Sequence, residues 1–159
     1  MNDITPKKMP ETKPSTALVT GTTVLSVPRE WRKDGVKNAV ITTYDCADPV
    51  QRRKVFAALN ADCQGAADWI NKVLVVQHVV MHPVTITDEE TGELVTEVRT
   101  ILIDPKGNCV AFVSRMVEQF FERLTMFGMP GPWDPPLKLL LRRKQFKSGR
   151  SGYTLTEQE

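Results

Sequence analysis

The plainest hydrophobic pattern lies between Val73 and Ile103. Val73 to Thr87 is almost wholly β-branched or apolar, which predicts one long strand, and Pro83 within it predicts a bend or an edge position. The acidic stretch Asp88–Glu93 reads as a solvated turn. Leu94 to Ile103 then returns as a strand, with Val98, Thr100 and Leu102 alternating against Arg99, Ile101 and Ile103. Asp104-Pro105-Lys106-Gly107 places proline second and glycine fourth, as a type I turn prefers, and Cys109 to Val113 follows as a third strand. Ser114 suits the N-cap of a helix on which Val117, Phe120, Phe121, Leu124 and Phe127 recur along one face, so all three phenylalanines are expected in the core. Gly128 is a natural stop. Gly128 to Pro136 is a stiff loop holding Trp133, and Leu137–Phe146 and Tyr153–Thr156 predict two more strands across the turn at 147–152.

Upstream the pattern is weaker. Residues 1–16 are polar, carry Pro6, Pro10 and Pro14, lack the apolar run of a signal peptide, and read as a disordered arm. Ala17–Val27 and Val36–Tyr44 are candidate strands. Asp48-Pro49-Val50-Gln51 has the features of a helix start: an N-cap aspartate, proline at the first helical position and glutamine three residues after the cap. That helix runs through Val55, Phe56 and Leu59 to about Asn60, and residues 61–71 add a short helical turn with Trp69 directed to the core.

The element order is therefore strand-strand-strand-helix-strand-strand, mainly β with helices (α+β). This is the order of an OB-like small β-barrel, with the helix plugging one end. Residues 72–157 are assigned to the barrel and 17–71 to a strand and helix extension of the same domain. The rival arrangement is an α+β sandwich with the helix lying across an open sheet.

Composition narrows the class without naming a function. The 159 residues are 41% apolar and 25% charged, an ordinary globular balance, and the net charge of +2 excludes both a histone-like polycation and an acidic disordered chain. Cys46, Cys63 and Cys109 are odd in number and widely spaced, so reduced thiols in a cytoplasmic protein are expected. No apolar run reaches the roughly 20 residues of a membrane span.

Charge becomes informative once divided along the chain. Residues 69–136 carry five basic and nine acidic side chains, whereas residues 137–159 carry six basic and two acidic ones. On the strand Leu137–Lys147, alternation places Lys138, Arg142, Lys144 and Phe146 on one face, with Arg143 on the other; Lys147, Arg150 and Tyr153 follow. Cations interleaved with aromatics suit single-stranded nucleic acid, because cations neutralise phosphates and rings stack on bases of any sequence. The same stretch also fits a solvated edge strand whose charges block aggregation. Trp133 is either a stacking platform or a clamp holding its loop on the core, and Phe112 is equally open to both roles.

Other chemistry finds little support. His78 and His82 sit four residues apart on a predicted strand, about 13 Å, too far to share one metal ion. The acidic cluster lacks the alternation of a calcium loop. No phosphate-loop, dinucleotide or nucleophile-elbow motif occurs, so neither an enzyme nor a cofactor is expected.

The ordered set H-P-V-T-I-T-D-E-E-T-G-E (82–93), V-R-T-I-L-I-D-P-K-G (98–107), A-F-V-S (111–114) before a helix, G-M-P-G-P-W (128–133) and K-S-G-R-S-G-Y-T-L (147–155) resembles small single-stranded DNA-binding proteins of phages and mobile elements. With a weaker match at R-R-K-V-F-A-A-L-N (52–60), the resemblance covers about residues 52–156. It implies a non-enzymatic protein that coats single strands during replication in a bacterial host cytoplasm, alongside replication proteins and with self-association along the DNA. Where that group carries an aromatic after the D-x-x-G turn this chain has Val110, for which Phe112 is the available substitute.

Two expectations of different class follow. In the first, the chain binds single-stranded DNA, or RNA, without sequence preference. Arg142, Arg143, Lys144 and Lys147 hold phosphates, aided by Arg99, Arg115, Lys138 and Arg150, while Trp133, Phe146, Tyr153 and Phe112 stack on bases. In the second, it is an assembly adaptor whose basic strand meets an acidic protein partner.

Overall fold

The computed structural model describes residues 40–158; the expected N-terminal arm, the candidate strand at 17–27 and the first part of the one at 36–44 lie outside them. Within that range the chain forms β1 (Ile41–Thr42), α1 (Pro49–Leu59), β2 (Gln64–Gly65), a 3₁₀ turn (Ala66–Trp69), β3 (Val73–Val76), β4 (His78–Thr87), β5 (Leu94–Ile103), β6 (Cys109–Val113), α2 (Arg115–Met126), β7 (Leu137–Gln145) and β8 (Ser151–Glu157). The architecture is mixed α+β, dominated by strands. They make two sheets, one ordered β1-β4-β5-β6-β2 and the other β3-β7-β8, and among the described residues no pairing of β6 with β8 closes them into one barrel.

The long strand expected over 73–87 is present but divided at Gln77, not at Pro83. Its first part, β3, pairs antiparallel with β7, and its second part, β4, pairs with β5. The chain therefore has to turn between two ladders. At the turn the Gln77 N–H donates to the Ile103 carbonyl (2.8 Å), and the Gln77 carbonyl accepts from the Trp133 N–H (3.1 Å). Pro83 instead stays in β4 opposite Val98, beyond the two residues that β1 covers, on a stretch with one open edge where a missing N–H is tolerated.

Local signals explain both helices. Asp48 caps α1 by accepting from the Val50 N–H at 3.0 Å, with Pro49 in the first turn. Gln51 reaches back one segment further than a capping box, accepting from the Asp45 N–H at 2.8 Å. Ser114 caps α2 through the Val117 N–H (3.4 Å), and Gly128, at φ +76°, lets the Met129 N–H return to the Leu124 carbonyl at 2.8 Å. The Asp104–Gly107 turn closes as expected, the Gly107 N–H donating to the Asp104 carbonyl.

Two apolar clusters result. The larger fills the space between the sheets and α2, with Val79, Met81, Val98, Leu102, Phe112, Phe121, Leu139 and Leu141 among its members. The smaller seats Val55 and Ala58 of α1 on Val80, Ile101 and Ile103 of the five-stranded sheet. Residues 41–69, expected as an extension, are thus integral to that sheet: β1 and β2 both lie in it and α1 covers it.

Two expectations need correction. Phe127 does not join the α2 stripe: the helix ends at Met126, and Phe127 projects outward, 78% exposed, while Val117, Phe121 and Leu124 are buried. The Cys63 and Cys109 thiols are not both free but joined in a disulfide, with Cα atoms 5.0 Å apart. Parallel pairing of β2 with β6 brings them together, since Cys63 immediately precedes β2 and Cys109 opens β6. Cys46 is free.

Candidate nucleic-acid interface

The basic strand divides its cations between two faces. Leu139 and Leu141 point into the core, which turns Lys138, Arg142 and Lys144 to the outer face of the three-stranded sheet. There Arg142 lies opposite Thr154, and Lys138 opposite the exposed Val75. Beyond Leu141 β7 is exposed on both faces and overhangs the core, while Gly152, Tyr153 and Thr154 of β8 stay half-buried, Tyr153 against the core. Arg143 occupies the inward-facing series at this overhanging end. It pairs in register with Tyr153 and sets its guanidinium 5.8 Å from that ring's centre, at the outer range of a cation–π contact.

Beside this hairpin a cleft of about 430 Å³ opens between β8 and the junction of β6 with α2. Val113, Arg115 and Gln119 line one wall, and Phe146, Gly152 and Tyr153 line the other. Arg115 and Gln119 share this wall because they stand one helical turn apart. Gly152 lets the Phe146 ring lie close: a Cβ there would sit 2.9 Å from that ring, so a side chain would push it aside. Tyr153 stacks on Phe112 with ring centres 5.8 Å apart, bridging the gap where β6 and β8 do not pair. Gln119 and Gly152 escape a sequence reading. Gln119 is a half-buried polar residue between core positions of the helix, and Gly152 has the local surroundings of an ordinary turn glycine.

The structure brings Arg115, Arg143, Phe146 and Tyr153 to one end of the molecule. Phe112 is 2% exposed, so it backs Tyr153 and presents no free face. Trp133 is 7% exposed, packs 5.6 Å from Phe121 and donates its indole N–H to the Met129 carbonyl at 3.2 Å. Of the two roles open to it, it takes the clamp. Gly131 allows this packing, because a Cβ there would lie 2.7 Å from the Thr43 methyl and 3.0 Å from the indole.

Arg99 lies on the outer face of the five-stranded sheet and donates toward His82 Nε2 at 3.3 Å. Burial and this neighbouring cation hold the His82 pKa below the ordinary histidine value. The Arg150 guanidinium is engaged by both carboxylate oxygens of Glu90, with Nε 2.9 Å from Oε1, tying the tips of the two long hairpins together. Next to it, the Glu90 and Thr91 N–H groups donate to Asp88 and hold its carboxyl below the usual range. The acidic cluster is thus a hydrogen-bonded turn facing a cation of the basic hairpin. Lys147 lies in the exposed β7–β8 turn.

His78 and His82 have separate partners, Thr43 and Arg99, and no cluster of three or more metal-ligating side chains occurs among the described residues. No helix among them is long and apolar enough to cross a membrane. No family model matches the chain, and neither a curated protein nor a solved structure is significantly similar to it.

Proposed function

We propose that this chain is a sequence-tolerant single-stranded DNA-binding protein built on an opened OB-like barrel. The single observation that carries the reading is the overhanging β7–β8 hairpin. It presents Arg143, Tyr153 and Phe146 beside a cleft walled by Arg115, and displays Arg142, Lys144 and Lys138 on the adjoining sheet face. A polynucleotide strand needs cations spaced along its phosphates and aromatic faces for its bases, and both occur on this one element.

The barrel reading is supported by the long strand shared between the two sheets. In it, β3 and β4 act as one strand turned at Gln77, β7 and β8 follow the helix, and the barrel stays open between β6 and β8. The resemblance to phage and mobile-element proteins points the same way. On this reading the protein coats single strands during replication in the cytoplasm of a bacterial host.

Titration of fluorescent oligo-dT at two salt concentrations tests the reading. Binding should weaken steeply with salt, since each neutralised phosphate releases counterion. Arg142→Ala/Arg143→Ala/Lys144→Ala should weaken all sequences alike, and Phe146→Ala should cost about 1–3 kcal/mol of binding, the worth of one stacked base. Absence of binding at low salt overturns the proposal. Competition by duplex DNA and oligo-U of equal length separates the nucleic-acid types.

A further inference from the structure

A second cleft, of about 340 Å³, lies between α1 and the β5–β6 turn and shares no lining residue with the first. Ala57, Ala58 and Ala61 leave it open, since their small side chains keep the end of α1 from filling the space above Asp104–Gly107. Its polar side chains are Lys54, Lys106, Tyr44 and His78, with Gln77 and a single carboxylate, Asp104. Lys54 approaches from the helix and Lys106 from the turn.

Between them lies a stacked pair, Tyr44 and His78, with ring centres 3.8 Å apart and planes within 8°. One ring nitrogen of this pair is already engaged. Thr43 Oγ1 accepts from the Val79 N–H at 3.0 Å and lies 3.0 Å from His78 Nδ1. This contact engages Nδ1 and leaves Nε2 as the ring nitrogen without a partner among the described residues. Burial and the Lys54 charge lower the His78 pKa to about 4, so the ring is neutral at pH 7.

Tyr44 is buried, burial raises its pKa, and its hydroxyl has no hydrogen-bond partner among the described residues. The one carboxylate in the lining, Asp104, is already used. Its Oδ1 accepts from the Lys106 and Asn108 N–H groups, and its Oδ2 from Asn108 Nδ2. A cleft with two ammonium groups, the unengaged Tyr44 hydroxyl and the His78 ring, whose one carboxylate is held by its own turn, is matched by a compact dianion.

We propose that the cleft between α1 and the β5–β6 turn binds a phosphomonoester dianion, held by Lys54 and Lys106 and by the His78 ring and the Tyr44 hydroxyl. The site is independent of the nucleic-acid reading, and either can fail alone. Calorimetric titration of the full chain at low salt with inorganic phosphate and with AMP tests it, while the ring resonances of His78 are followed by NMR.

One saturable site per chain is expected, with a shift of the His78 resonances. Affinity should fall about tenfold or more in Lys54→Gln/Lys106→Gln, whose exposed positions leave the fold intact. Tighter binding of AMP than of phosphate would assign the site to a nucleotide, and equal binding to the phosphate group alone. No binding of either probe, or binding that the double variant and the His78 resonances do not register, overturns the proposal.

Discussion

Over Val79–Met81 and Leu102–Ile103 the five-stranded sheet is covered on both faces, by α1 on one side and by α2 and the second sheet on the other. The three-stranded sheet buries only its inner face. Its outer face carries Val73, Val75, Lys138, Arg142 and Lys144 in the open, and β8 is an edge strand with nothing paired beyond it among the described residues. The difference separates two tasks. Where successive residues are apolar on both faces, the chain is fixed by packing on each side. Where alternate positions become cations, the strand gains charged surface and gives up burial. Residues that stabilise the fold and residues available to a partner are therefore different sets, meeting at the Phe112–Tyr153 contact.

Phe121→Ala breaks the comparison on its buried side and should have the largest effect. Phe121 is fully buried between the sheets, and its truncation should cost about 3–5 kcal/mol, read as a lowered midpoint of thermal or urea unfolding. The hairpin triple variant of Arg142, Arg143 and Lys144 should leave that midpoint almost unmoved. A comparable loss in both would erase the distinction.

Next is the disulfide, which belongs wholly to the five-stranded sheet and closes a sequence separation of 46 residues. Cys63→Ser/Cys109→Ser should cost about 2–4 kcal/mol of stability in oxidising buffer and nothing in strong reductant. Thiol counting with and without reductant checks the pairing, with one free thiol expected from Cys46 in the oxidised protein.

The smallest expected effect is a pH dependence of the five-stranded sheet. His78 and His82 both have pKa values below the ordinary 6.5, so the unfolded chain takes up their protons first as pH falls. Their stabilisation is complete above about pH 6.5 and is lost as pH falls toward about 4, the His78 value. His78→Asn should flatten that part of the unfolding-midpoint profile, and an unchanged profile would mean that the ring titrates freely.

The elements themselves were largely legible in the chain. Alternation over 94–103, the Asp104–Gly107 turn, the Asp48 and Ser114 caps and the Gly128 stop each depend on neighbours within a few residues, and each formed where expected. The candidate site was legible as a basic strand, because period-2 alternation alone sorts Lys138, Arg142 and Lys144 from Leu139 and Leu141.

Contacts distant in sequence were beyond that reading. The break at Gln77 comes from pairing with two different strands, and the disulfide from parallel pairing of β2 with β6. The burial of Trp133 comes from the position of Phe121, and the loss of Arg150 as a free cation from Glu90, 60 residues away. Local steric and capping preferences are written into a few adjacent residues, whereas which surfaces and charges meet is settled only when the two sheets pack. The sequence by itself therefore determined the elements and the basic stripe, and the tertiary structure decided which aromatics and cations stay free to act.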